Sequence, residues 1–225
     1  EYEMGTVGES GETYAIAKYG KRIAFTREAM INDDLNAFNR LPMLAGRSSS
    51  ELESDLAWAI ITTNAAMSDG TALFHADHGN LGTGAVTAAN IGAGRTLMRK
   101  QTGLNGQRIG VRPEILIVPA ALETVGLQAT SNLTPNAISS VNPWNHAFRE
   151  LVVEPRLDDS SAVIWYMSAG PEAIDVLEYA FLMGNDGPMI ETREGFEVDG
   201  MEMKVRHEFG VAVLDHRGLY RSSGV

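Results

Sequence analysis

The chain has 225 residues, of which 44% are hydrophobic and 21% charged, the composition of a globular protein able to bury a core. Its formal net charge of −11 argues against non-specific nucleic-acid binding, which depends on Lys and Arg releasing phosphate counterions, but not against enclosing DNA without gripping it. With no cysteine, the chain can have no disulfide, thiolate metal site or cysteine nucleophile, and no apolar run approaches the roughly 18 residues of a membrane span.

Residues 1–12 place Gly5, Gly8 and Gly11 beside Glu1, Glu3, Glu9 and Glu12. That composition predicts an acidic loop or hairpin tip, and it is neither a secretory signal nor a transit peptide. The chain does not open on methionine, so an upstream segment is expected to have been cleaved, trimmed or left out. From Thr13, alternation predicts two short strands, Thr13 to Tyr19 and Lys21 to Thr26, interrupted at Gly20. A two-stranded ribbon is marginal in water by itself, so it must lie on its own domain or on a neighbouring molecule. Lys18, Lys21, Arg22 and Arg27 form its basic cluster, either a solvated face or a salt-bridge patch between subunits.

Asn32 and Asp33 can cap a helix. An apolar stripe through Leu35, Phe38, Leu41, Leu44, Leu52, Leu56, Ala59, Ile60 and Thr63 predicts that it runs to Asn64, with Pro42 kinking or restarting it. Mean helices have about 11–12 residues, so a run of about thirty is architectural. Further on, helices are expected over Thr87 to Thr102 and from Pro119 to about Gln128, with a buried strand at Glu114 to Val118. Ser131 to Asn145 reads as a loop. Strands are expected at Glu150 to Val153, Ala162 to Met167, Val176 to Leu182, Met201 to His207 and Val211 to Tyr220. Helices and strands mix without regular βαβ spacing, which makes the fold class α+β.

The densest local chemistry is Phe74-His75-Ala76-Asp77-His78-Gly79-Asn80. His75, Asp77 and His78 could hold a divalent metal, given a further ligand from His146, His207 or His216. The favoured alternative is a turn held by side-chain-to-backbone hydrogen bonds. His216 in Asp215-His216-Arg217 reads as a satisfied strand residue, and Asp158-Asp159 as a turn. Gly92-Ala93-Gly94 lacks the lysine and spacing of a phosphate loop and points to close helix packing. Trp144 has no basic neighbour in sequence and is a core or interface candidate. No phosphate-loop, dinucleotide, nucleophile-elbow or zinc-protease motif is present, so no catalytic residue, cofactor or metal is assigned.

The order of a basic alternating strand, FTREAMINDDLNAF, a long helix and TTN…DG…LFHADHGN resembles the Mu-like prophage major head subunits of tailed bacteriophages. RPEILIVPAALE, ELVVEPRLDD and IETREGFEVDGMEMKVRHEFGVAVLDHRGLYR fit the same family, so the resemblance covers Thr13 to Tyr220. It implies the Hong Kong 97-like capsid fold: an extended loop over residues 1–24, a peripheral domain with its spine helix over 25–86, an axial domain over 87–175, and returning peripheral strands over 176–225. It implies a non-enzymatic shell protein that assembles with itself through hexamers and pentamers around double-stranded DNA. Portal, scaffold or decoration proteins would be partners, no membrane would be involved, and the location would be the virion, after assembly in the host cytoplasm. Tyr14, Ile16, Lys18, Lys21, Arg22, Phe25 and Arg27 are then expected at the assembly interface, with Gly20 and Pro42 as bending points. An encapsulin-like compartment and a metal-dependent hydrolase using His75, Asp77 and His78 are the alternative readings.

Overall fold

The computed structural model describes residues 11–32, 40–131, 143–144, 146–195 and 199–225. In chain order the elements are β1 (Ala17–Thr26), α1 (Arg27–Ile31), α2 (Leu41–Thr63), β2 (Leu81–Gly82), α3 (Ala88–Arg99), β3 (Pro113–Val118), α4 (Glu123–Thr130), β4 (Glu150–Val153), α5 (Arg156–Ser160), β5 (Trp165–Ala169), β6 (Leu177–Phe181), β7 (Met189–Gly195), β8 (Gly200–Val213) and β9 (Leu219–Ser222). They group into two units, one centred on Trp58–Glu178 and Val213–Val225, the other on Tyr14–Ala57 and Tyr179–Ala212.

In the first unit the strands run in the order β2-β9-β5-β3-β4. Pairing is parallel at the two margins, β2 with β9 and β3 with β4, and antiparallel where β5 meets β3 and β9. Successive strand side chains point to opposite faces, and here both faces are apolar. Leu116 and Val118 of β3, Trp165 and Met167 of β5 and Tyr220 of β9 join Ile91 and Met98 of α3 in one core. Ile117, Tyr166 and Leu219 face the other way, into a core with Leu73, Phe74, Ile61 and Leu157. A strand buried on both sides reads as a continuous apolar run, which is why EILIV stands out in the sequence.

The second unit is built on β8, fourteen residues long. β1 pairs with it antiparallel from Ala17–Phe209 to Thr26–Gly200, and β7 pairs antiparallel from Met189–Arg206 to Gly195–Gly200. The alternation gives this sheet two unlike faces. One presents Tyr19, Lys21, Ile23, Met203, Val205 and His207 toward the N-terminal half of α2, with a groove between them. The other presents Lys18, Arg22, Glu191, Arg193, Glu202, Lys204, Arg206 and Glu208.

Several expectations change. The two-strand ribbon is one continuous strand, and its partner is β8 from the far end of the same chain. Gly20 marks a close approach of strands: a Cβ there would lie 2.8 Å from the Val205 carbonyl oxygen. Residues 17–24 thus have their sheet partner within the chain, and residues 1–10 lie outside the described residues. Thr26 ends the strand by capping α1, its hydroxyl accepting from the Ala29 N–H at 3.3 Å. Pro42 sits in the first turn of α2, where a missing N–H breaks no intrahelical bond; Asp33, Leu35 and Phe38 lie outside the described residues. The helix ends where expected. Asn64 is left-handed, with φ 50, and its side chain exchanges hydrogen bonds with the Phe74 backbone at 2.7 and 3.3 Å.

The C-terminal strands also divide differently. β8 runs through to Val213, and Asp215 caps a 3₁₀ turn at His216–Gly218, accepting from the Arg217 N–H at 2.8 Å. His216 is thus a turn residue, not a strand residue. Asp158 and Asp159 lie in α5, and the Asp158 carboxylate accepts from the N–H groups of Ala120 and Ala121 at 2.7 and 3.2 Å, fixing the turn after Pro119.

Candidate functional site

The histidine turn at Leu73–Asn80 is organised by Asn80, which is fully buried. Its amide donates to the Leu73 carbonyl at 2.7 Å and the His216 carbonyl at 3.3 Å, and its side-chain oxygen accepts from the His75 N–H at 3.1 Å. Its own carbonyl accepts from Arg221 of β9 at 2.9 Å. The left-handed Gly79, φ 61, is what aims the chain into this position.

His75 and His78 diverge. His75 is exposed and accepts from the Asp77 N–H at 3.2 Å. His78 is buried, donating from Nδ1 to the Leu73 carbonyl at 3.0 Å, with Nε2 2.8 Å from Asp69 Oδ2. That hydrogen bond, then one from the Thr71 N–H, holds the Asp69 carboxyl below its ordinary value. His216 stacks on His78 with ring centroids 3.8 Å apart and planes 8° from parallel. Burial, and then the adjacent His78, push His216 below the ordinary histidine value. Among the described residues no three or more His, Asp or Glu gather in a way that could hold a metal. With both nitrogens of His78 turned onto protein oxygens, the hydrolase reading lacks its ligand set. Sequence reading did not single out Asn80 or Asp69 as the holders of this turn; an Asn after a Gly was the available signal.

The basic cluster does not share one surface. Lys18 and Arg22 lie on the charged face of the sheet, Lys21 lies on the opposite face with Ile23 and Phe25, and Arg27 opens α1, 3.2 Å from Asp199. Tyr14 and Ile16 precede β1, Tyr14 half-buried and Ile16 exposed. On the charged face each carboxylate is shared: Glu191 between Lys204 and Arg206, Glu202 between Arg193 and Arg22, Glu208 between Arg206 and the Asn185 amide. The hydrogen bond from Lys204 holds Glu191 below the ordinary carboxylate value.

Trp144 does acquire a basic neighbour, from α3. The Arg95 guanidinium lies 5.1 Å from its ring centroid and 5.5 Å from that of Phe148, while the indole N–H donates to the Ala88 carbonyl at 2.7 Å. Gly94 is packed so tightly that a Cβ would come within 2.4 Å of Met167 and 2.7 Å of Tyr220. Gly94 therefore serves helix–sheet packing, while Gly92 lies against Trp144, where a Cβ would come 3.0 Å from the indole ring.

The family model described as phage capsid protein matches residues 10–222. The chain belongs to the phage capsid protein family. It is a structural shell protein with an α+β, Hong Kong 97-like major capsid fold, and its role is non-enzymatic. Solved structures agree on the fold. A chain of Mycobacterium phage Patience superposes with TM-score 0.62 at 9% identity, covering 99% of this chain and 74% of its own. A phage-related protein from Bordetella bronchiseptica gives 0.57 at 13% identity, with 93% and 75% covered. The encapsulin complex of Synechococcus elongatus gives 0.53 at 12% identity, with 93% and 74% covered. The comparison with curated proteins gives no match.

Proposed function

We propose that this chain is the major head protein of a tailed bacteriophage or Mu-like prophage, assembling through hexamers and pentamers into an icosahedral shell around double-stranded DNA. The family match over residues 10–222 carries the reading. The thin second unit supports it, because its sheet buries little apolar surface of its own and gains from neighbours covering it. Its sheet with the N-terminal part of α2 serves as the peripheral domain and spine helix, and the five-stranded unit as the axial domain. Residues 1–24 act as the extended loop over a neighbour, with the part from Ala17 onward paired to β8 of its own chain.

Tyr14, Ile16, Lys18, Lys21, Arg22, Phe25 and Arg27 contribute to contacts between copies. Gly20, within β1, and Pro42, at the start of α2, are the bending points between five-fold and six-fold surroundings. Portal, scaffold and decoration proteins complete the particle, which forms in the host cytoplasm and persists as the virion shell. Among the described residues no helix is long and apolar enough to cross a membrane. Sedimentation and negative-stain microscopy of expressed protein should reveal rings, shells or tubes. A strictly monomeric species at high concentration overturns the proposal.

The fold shared with the Synechococcus encapsulin supports a second reading, a compartment holding protein cargo. Purified particles decide between them: co-purifying double-stranded DNA supports the head protein, and a packed enzyme supports the compartment.

A further inference from the structure

Charge is spread unevenly along this acidic chain. Residues 78–113 hold none of the 29 Asp and Glu residues but five cations, Arg95, Arg99, Lys100, Arg108 and Arg112. All five belong to the first unit, and the fold gathers them at the C-terminal end of α3. Arg95 and Arg99, four residues apart on α3, share one face of the helix. The hairpin after the helix folds back onto it. The Gly103 N–H donates to the Gln107 carbonyl at 2.8 Å, the Ile109 N–H to the Gln101 carbonyl at 3.2 Å, and the Arg108 guanidinium to the Lys100 carbonyl. Arg112 follows, close enough that its charge acts on Arg95 together with that of Arg99.

The cluster has no counter-charge. Arg99, Lys100, Arg108 and Arg112 are exposed, and none of the five forms an ion pair among the described residues. Asp77 and Glu114, the acidic residues that bound the stretch, already lie 3.4 Å from His75 and 3.8 Å from Arg149. Arg95 has a local task, resting against Trp144 and Phe148 and donating to the Pro113 and Ala147 carbonyls at 3.3 and 3.4 Å. Burial, and then the repulsion of Arg99 and Arg112, hold its guanidinium below the ordinary value. The dipole of α3 favours Arg99 and Lys100 at its end, but it amounts to about half a charge. It gives no reason for Arg108 and Arg112, which lie outside the helix.

Exposed Arg and Lys with no carboxylate among them fit a polyanion of closely and regularly spaced charges, the phosphate backbone of a duplex. The acidic remainder of the surface repels DNA, yet at physiological salt charges more than about 8 Å away are largely screened, so the patch acts locally. We propose that the end of α3 and the hairpin after it form the surface through which the shell touches the phosphates of the DNA it encloses, without reading sequence. This rests on the head-protein reading and names where shell and DNA meet.

The test uses full-length, dissociated chains and a labelled duplex of mixed sequence, followed by fluorescence anisotropy. Affinity should fall roughly 100-fold between about 50 and about 200 mM salt, the slope that four phosphate contacts give. Arg99→Gln and Arg112→Gln should each reduce that slope by about 1. The triple variant Arg99→Gln/Lys100→Gln/Arg112→Gln should keep the parent's circular dichroism spectrum and bind below detection. Arg193→Gln, which removes a cation already paired with Glu202 at 2.7 Å, should bind like the parent. A triple variant that binds like the parent, or polyglutamate that displaces the duplex as well as unlabelled duplex does, overturns the phosphate contact. Parent chains that form shells in negative stain but bind no duplex overturn it too, and leave the head-protein reading standing. Neither shells nor binding from the parent overturns both.

Discussion

The two units solve the same problem, ordering a β-sheet, in opposite ways. The five-stranded sheet of the first is covered on both faces, and Trp165, Leu116, Met167, Val118, Ile91 and Met98 have no exposed surface. In the second, Met203 and Phe209 are the only buried hydrophobic residues among those described, and Ile16, Ile23, Leu44, Tyr179 and Met183 stand in water. Its other sheet face is held by cross-strand ion pairs, which contribute little when exposed. The first unit is stabilised by its own core. The second keeps little core of its own.

The sharpest way to break this contrast is Trp165→Ala. Trp165 is fully buried and its indole donates to the Gly84 carbonyl at 2.9 Å, so the substitution should cost about 3–5 kcal/mol in denaturant titration. A near-zero change would mean that the first unit has no decisive core. Gly94→Ala should cost about 1–3 kcal/mol by forcing Met167 and Tyr220 aside; a stabilised variant would show that the contact has room.

A pH series sharpens the contrast from another direction. Folded His216 sits below its ordinary value of 6.5, with Asp69 and Asp215 favouring its charge and burial, His78 and Arg217 opposing it. The unfolded chain therefore binds that proton first, and the contribution to stability, complete above about pH 6.5, is lost as the pH falls through the folded value. Urea midpoints at about pH 7.5 and about pH 5.5 should differ for the parent and differ less for His216→Asn; equal differences would place the acid sensitivity elsewhere. The smallest effect belongs to the second unit. Ile23→Ala should alter folding stability by about 0.5 kcal/mol or less, and a loss comparable with Trp165→Ala would reveal a hidden core there.

Local chemistry made much of this molecule legible. The strand at Glu114 to Val118, the α3 helix after the Thr87 cap, and the end of α2 at Asn64 all follow from signals within a few residues of each other. So does the packing role of Gly94. The family blocks carried the capsid assignment, since many short segments in one order are far more specific than any single motif. The partner of β1 was not legible: pairing between Ala17 and Phe209 spans nearly the whole chain, and alternation says that a strand exists without saying what it joins. The same holds for the histidine turn. HADH suggested ligands, but whether His78 faces inward depends on Asp69, on Asn80 and on His216, which arrives from the other end of the chain.

Sequence alone, then, determined the α+β class, the long helix and the buried strand, the absence of thiol chemistry and the family, because these rest on composition, periodicity and ordered local blocks. Tertiary structure alone decided that Gly20 lies where β1 closely approaches β8, that the basic residues of β1 split between two faces, and that the second unit buries few hydrophobic residues. Those outcomes depend on which distant segments share a ladder, and a side chain's surroundings are set by its neighbours in space.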